Sequence, residues 1–281
     1  MRSERFTTPA LDGVTLHVLH RGDPTRVPLV LLHGGGANAH WWDAVAPALA
    51  ERFHVVALDF RGHGDSDHPS RRETGAFQHD LSALLDHLGS PRAILMGHSM
   101  GGHVAVRHAA SCLPEARPRA LVAVEVARGG GLRERRRMRL ALAARRTYAT
   151  REEAVARFRF LPPAPHADEA TRRRVAEHSV RCEGERFGFK FDPAWFRVPP
   201  APQPDLSRIG SPTLIVRGEE STLLTLEGAG ELAREIGNAH IGAIPDAGHN
   251  VHVERPEAFL AAVFPFLDGA LAEAGSAEEG R

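Results

Sequence analysis

Cysteine is scarce in this sequence: there are two, Cys112 and Cys182, among 281 residues. Their spacing fits neither a metal-ligand set nor a redox pair, so two reduced thiols are expected. A charge excess of either sign is missing as well. The 35 basic side chains balance 35 acidic ones, which gives no general reason to expect nucleic acid or an anionic membrane as a partner. No apolar run approaches the ~18 residues of a membrane helix. Residues 1–5 lead into no apolar signal-peptide segment. A soluble, cytoplasmic protein acting on a small molecule, as a monomer or homodimer, is therefore expected. P-loop, zinc and EF-hand patterns are absent, and no metal or cofactor is expected. Asp59-Phe60-Arg61-Gly62-His63-Gly64 lacks the strand–GxGxxG–helix context of a dinucleotide site and reads as a structural turn.

What is present is an alternation of short β-rich runs with helical patterns. Strands are read at 14–19, 27–32, 55–60, 93–96, 120–126, 213–216 and 240–244. Helices are read at 41–50, 77–88, 100–110, 226–236 and 256–271. Runs such as 27–32 are continuously apolar, as suits strands buried on both faces. Alternating β and α elements imply a mostly parallel sheet covered by helices on both sides. Residues 128–204 break the rhythm. They open with Gly129-Gly130-Gly131 and an arginine-rich helical stretch, 133–146, and close on a proline-rich segment, 199–204. A structureless loop of that length is improbable inside a compact domain. The stretch reads as a helical lid inserted in a core made of 1–127 and 205–281. The end, 273–281, is small and polar and is expected to fray.

Three motifs carry chemistry. Gly97-His98-Ser99-Met100-Gly101 has the G-x-S-x-G form, with an apolar strand before it and a helix after it. A serine on so sharp a turn needs flanking glycines for close chain approach, and the turn lifts Oγ above the sheet edge. A capping serine on an ordinary strand-to-helix turn is the plain alternative. His33-Gly34-Gly35-Gly36 follows the 27–32 strand. A tetrahedral intermediate needs at least two donors on its oxygen, and the backbone N–H groups of Met100 and Gly35 are the candidates. His249, in Asp246-Ala247-Gly248-His249-Asn250, lies between the last strand and the last helix. A serine hydroxyl needs a base in reach, and the order Ser then His suits this placement. Position rather than residue type singles out His249 among 17 histidines; nearby His252 reads as structural.

Together with Leu31-Leu32-His33-Gly34-Gly35, residues 59–66 and Glu254-Arg255-Pro256, these motifs resemble the α/β-hydrolase superfamily in order along nearly the whole chain outside 128–204. The resemblance implies an eight-stranded, mostly parallel α/β sheet, a Ser–His–acid triad and a helical lid that selects substrate. It does not fix the substrate. One departure concerns the acid. Many relatives carry an aspartate after the strand matching 213–216, where this sequence has Gly218-Glu219-Glu220-Ser221-Thr222. Neither Ser221 nor Thr222 can stabilise an imidazolium as a carboxylate does. Glu219 or Glu220 could reach over; alternatively the acid is Glu125, a charge at the end of an apolar strand that is costly unless paired. Glu125 is favoured on that ground and because it lies at the C-terminal edge of the sheet, where catalytic groups collect in open α/β folds; the resemblance adds that some relatives, certain dehalogenases and lactone hydrolases among them, use a glutamate at the matching place. A salt bridge to a lid arginine is its plain alternative.

Serine as nucleophile points to an acyl-enzyme route on an ester, thioester or lactone, with carbon–carbon bond hydrolysis a close variant. A slow or non-catalytic binding protein on the same scaffold, and an acyltransferase or perhydrolase, are the other readings. Gly34, His98, Trp42, Phe189 and Trp195 are the expected substrate contacts. Trp41-Trp42 could equally anchor the first helix, and the aromatic residues at 187–196 could be ordinary lid core. The arginine run reads first as a solvated helix face and second as a steering surface for an anionic substrate.

Overall fold

The computed structural model describes residues 1–9, 13–130, 132–143, 146–199 and 201–279. Asp12, Gly131, Arg145 and Pro200 lie outside the described residues, as do the side chains of Arg135, Arg137 and Arg139. The strands are β1 (Arg2–Thr7), β2 (Thr15–Arg21), β3 (Pro28–Leu32), β4 (His54–Asp59), β5 (Ile94–His98), β6 (Leu121–Val124), β7 (Thr147–Tyr148), β8 (Val180–Glu183), β9 (Arg186–Phe189), β10 (Thr213–Gly218) and β11 (Ala239–Ile244). Eight of them form one sheet in the order β1-β2-β4-β3-β5-β6-β10-β11. Strand β2 pairs antiparallel with both its neighbours, and every other pairing is parallel.

The continuous apolar runs are explained by two cores, one on each face of this sheet. Val30, Leu32, Leu95, Leu121 and Ile215 point to one side. Their neighbours Leu29, Leu31, Ile94, Val122 and Val216 point to the other. This is the period-2 alternation of a pleated strand with both faces dry. The helices are α1 (Ala46–Ala50), α2 (Ala76–His87), α3 (Met100–Ser111), α4 (Leu132–Ala143), α5 (Arg151–Arg157), α6 (Glu169–Ser179), α7 (Leu226–Ile236), α8 (Val251–Glu254) and α9 (Pro256–Glu279). On the first face α2, α3 and α7 supply Leu81, Leu84, Val104, Ala105, Leu232 and Ile236. On the second, α1 and α9 supply Leu49, Phe259, Val263 and Leu267.

The segment between β6 and β10 folds on its own pattern. It holds α4, α5 and α6, and also a three-stranded antiparallel sheet, β7-β9-β8. A wholly helical insertion is thus corrected. The strands here are two to four residues long, too short for a period to show in sequence. Side-chain caps start two of its helices: Thr150 accepts from the Glu153 N–H, and Asp168 from the Thr171 N–H. A third cluster joins the insertion to the sheet domain, with Phe158, Phe160, Val175 and Ala176 against Ala37, Trp41 and Val253. Two further corrections are local. Residues 41–50 form a 3-10 turn, Ala39–Trp42, and the short α1 instead of one helix. The terminal helix continues through 273–279. Among the described residues, no helix is long and apolar enough to cross a membrane.

Candidate active site

Ser99 sits between β5 and α3 at φ 51°, ψ −112°, a backbone conformation that costs an L-residue energy. Backbone bonds pin it there: its N–H donates to Val124 O at 2.8 Å, and its carbonyl accepts from the His103 N–H at 3.0 Å. The flanking glycines are a steric necessity. A Cβ on Gly97 would lie 2.4 Å from Gly101 O, and one on Gly101 would lie 2.4 Å from Leu32 O. Both obstacles are backbone and cannot swing aside.

Glu125 directly follows β6, the neighbouring strand, at φ 52°. Its N–H continues the ladder onto Val216 O at 2.8 Å. The side chain is fully buried and each oxygen is partnered. Oε1 accepts from the Gly218 N–H at 2.7 Å. Oε2 accepts from the Ser221 hydroxyl at 2.5 Å and lies 2.9 Å from His249 Nδ1. Burial pushes this carboxyl up, against the opposing pull of Ser221, the Gly218 N–H and the Arg217 charge. Burial pulls the His249 imidazole down, to about 3, so it rests neutral and able to accept a proton. Glu219 and Glu220 are exposed, and Glu220 bonds His166 at 2.9 Å. Of the three carboxylates weighed from the sequence, Glu125 is the one that meets His249. Ser221 was missed as a partner. A hydroxyl two residues beyond Glu219 gave no signal of its own, because the contact joins loops 96 residues apart.

Ser99 and His249 both line a cavity of about 620 Å³ between the sheet's edge and the insertion. Among the described residues, neither the Ser99 hydroxyl nor His249 Nε2 has a hydrogen-bond partner within the chain. In unliganded sites such bonds are commonly long and tighten with substrate. Gly34, Gly35 and Met100 line the same cavity, and the N–H groups of Gly35 and Met100 donate to no described residue. His98 lines the cavity too. Its Nε2 lies 2.9 Å from the His249 carbonyl oxygen, so it holds the loop that carries the base.

The expected substrate contacts divide. Trp195 lines the cavity, joined by Trp41, Phe77, Leu142, Leu161 and Phe196. Trp42 does not: it is fully buried, with its ring 4.3 Å from His252 and 6.4 Å from Phe259. The 3-10 turn sends Trp41 upward and Trp42 into the core, which adjacency in sequence could not distinguish. Phe189 is also corrected. It packs in the insertion against Phe158 and Tyr148 and is not among the residues lining this cavity. His252 is buried between Trp42 and His98, as a structural residue. Arg133, Arg136 and Arg146 are exposed.

Residues 59–66 form a mostly buried strut and do not line the cavity that holds Ser99. Asp59 accepts from Ala39 N–H at 2.6 Å and from Asp65 N–H at 3.0 Å, and lies 2.7 Å from His17 Nδ1. Arg61 pairs with Asp80 at 2.7 Å. Among the described residues, two groups have ligand atoms near enough for a cation: His40, Asp43 and His178, and His17, Asp59 and Asp65. Neither opens on Ser99, and Arg21 already pairs with Asp43 at 3.1 Å.

A family model described as "Alpha/beta hydrolase family" matches residues 29–262. An sn-1-specific diacylglycerol lipase of Mus musculus is 29% identical over 267 residues, covering 88% of this chain and 82% of that protein. An esterase of Mycobacterium tuberculosis is 28% identical over 251 residues, covering 85% and 82%. The crystal structure of an E-2-(acetamidomethylene)succinate hydrolase superposes with a TM-score of 0.80 at 24% identity, over 95% of this chain and 99% of that one; this is a likeness of fold. The chain belongs to the alpha/beta hydrolase family.

Proposed function

We propose that this alpha/beta hydrolase is a serine hydrolase that cleaves a carboxylic ester, thioester or lactone through an acyl-enzyme on Ser99. One observation carries the reading: a buried imidazole is held on a carboxylate, His249 Nδ1 to Glu125 Oε2 at 2.9 Å, and its ring shares a cavity with a serine on a strained turn. Ser99 Oγ attacks the carbonyl carbon and its proton passes to His249 Nε2. The N–H groups of Gly35 and Met100 receive the developing oxyanion. The bond to the leaving group breaks as His249 returns the proton to the departing oxygen or sulfur. Water then gives a proton to His249, attacks the acyl carbon, and frees the acid and Ser99. Glu125 fixes the imidazole tautomer and stabilises the imidazolium. The insertion between β6 and β10 acts as the lid of the core 1–127 and 205–281, since Leu142, Leu161, Trp195 and Phe196 close the cavity over Ser99.

A fluorophosphonate probe and a panel of esters, thioesters and lactones test this. Wild type is expected to label at Ser99 and turn over at least one class; Ser99→Ala is expected to do neither. Absence of labelling in wild type, or turnover retained in Ser99→Ala, refutes it.

A further inference from the structure

Helix α3 runs from Ser99 along one wall of the cavity. Met100, His103, Val104 and Arg107 all line it, a spacing that puts them on a single face of the helix. At a rise of about 1.5 Å per residue, the Cα atoms of Ser99 and Arg107 stand about 12 Å apart along the axis, and the Arg107 side chain starts back toward Ser99. Arg61, Arg72 and Arg128 each pair with a carboxylate. Arg107 does not. Among the described residues it donates only to the carbonyl oxygens of Ala201 and Pro202, which use part of a guanidinium's donor set and none of its charge. Burial pulls it below the ordinary arginine value, with no nearby carboxylate to hold it up. Glu73 is the one carboxylate among the described lining residues, and Arg71 pairs with it at 3.0 Å.

Resting on the acyl-enzyme reading above, we propose that the substrate is an ester carrying a carboxylate a short carbon chain away from its scissile bond, and that Arg107 binds that carboxylate and selects for it. A part-buried positive charge in a mainly apolar cavity costs free energy until a group of opposite sign joins it. A carboxylate meets the remaining N–H groups of the guanidinium with charge-assisted hydrogen bonds. The rest of the lining sets what lies in between. Val104, Phe77, Trp195 and Phe196 offer apolar surface, which suits methylene groups and not a second charge. Gln203, next to the Pro202 carbonyl that Arg107 holds, adds a neutral amide to the lining. Helix α3 thus acts as a ruler, with the nucleophile at its start and the anion's partner two turns on.

The test uses benzyl monoesters of succinic, adipic and suberic acid, each beside the ester whose far carboxylate is a carboxamide. A second series puts the charge on the alcohol half, as butyryl esters of hydroxy acids of matching length, again with their amides. In wild type one series is expected to show kcat/KM at least tenfold higher for the carboxylate than for the amide, mainly through KM. Which series does so tells which half of the ester lies along α3. The preference is expected to grow from the shortest chain to the longer ones. Arg107→Gln is expected to bring the ratio close to one, and Arg107→Lys to leave it between the two, since the planar fork is lost and the charge kept. Arg136→Gln, on the exposed face of α4, is expected to keep the wild-type ratio. The ratio is internal to each protein, so a general loss of rate cancels. Should Arg107→Gln fail to fold, the wild-type pairs and Arg107→Lys decide. Equal rates on carboxylates and amides, in a wild type that labels with fluorophosphonate at Ser99, overturn the anionic substrate and leave the hydrolase reading standing. A preference that survives Arg107→Gln, is unchanged in Arg107→Lys, is lost in Arg136→Gln or is greatest for the shortest chain overturns the role of Arg107. Neither labelling nor turnover in wild type overturns the hydrolase reading and this inference with it.

Discussion

Glu125→Gln keeps the size of the side chain and removes its charge. In the native site Oε1 accepts from the Gly218 N–H, while Oε2 faces both Ser221 Oγ and His249 Nδ1. A glutamine has one oxygen for these two positions. With that oxygen on Gly218, its NH₂ faces His249 Nδ1, and the imidazole must carry its proton on Nε2. That tautomer cannot accept the Ser99 proton. In the opposite orientation the NH₂ meets the Gly218 N–H, donor against donor, leaving a buried group unsatisfied at a cost of about 1–3 kcal/mol. Either way the imidazolium loses its counter-charge. A wrong tautomer of this kind costs about 10⁴ in kcat, or about 5 kcal/mol of barrier, so a loss of about 10³–10⁴ is expected. The assay is kcat and kcat/KM on a reactive ester, with the rate of fluorophosphonate labelling at Ser99 alongside and a thermal melt to show that the fold is kept. Residual activity over water is expected from the oxyanion donors. Activity within tenfold of wild type, together with a large loss in Glu219→Gln or Glu220→Gln, refutes the assignment of Glu125.

Ser221→Ala removes a donor that opposes burial at Glu125. Its carboxyl then ionises at higher pH, so the pH profile of kcat/KM is expected to move to the alkaline side and its plateau to fall about tenfold or more; an acid-side shift refutes this. Thermal stability is expected to drop as pH falls below 6.5. Burial holds His33, His63, His98, His249 and His252 below that value, so on acidification the unfolded chain binds their protons before the folded one does. Glu125 and Glu254 are raised and oppose this, taking stability away as pH climbs from 4.5, but they are fewer. A melting temperature at pH 5 equal to that at pH 7.5 contradicts the argument. Trp42→Ala is expected to cost about 3–5 kcal/mol of stability with no change in the ranking of substrates, read by denaturant unfolding and an ester panel. Gly101→Ala forces a Cβ against Leu32 O and is expected to destabilise the fold by about 1–3 kcal/mol or more, measured the same way.

The sheet was legible because its strands are short, continuously apolar and punctuated by glycine, and because both faces are covered. The serine turn was legible because Gly97 and Gly101 obey a local steric rule. What could not be read lies in contacts between distant loops. Ser221 meets Glu125 only after β6 and β10 pair in register, Ala123 opposite Ile215 and Val124 opposite Val216. Trp41 and Trp42 look alike until a 3-10 turn assigns them to opposite sides. The aromatic residues at 187–196 carry no sign of which ones face the site. Phe189 ends a strand of the small sheet, whereas Trp195 and Phe196 follow a proline in a 3-10 turn, Pro193–Arg197, that reaches the cavity.

Because the carboxylate stands at the end of β6, the residues following β10 are relieved of supplying a charge to the imidazole. Ser221 keeps a supporting tie to Glu125, but the side chain of Thr222 takes no part in the relay. Substitution in this loop, short of Ser221 itself, is therefore free of the constraint that a triad acid placed there would impose.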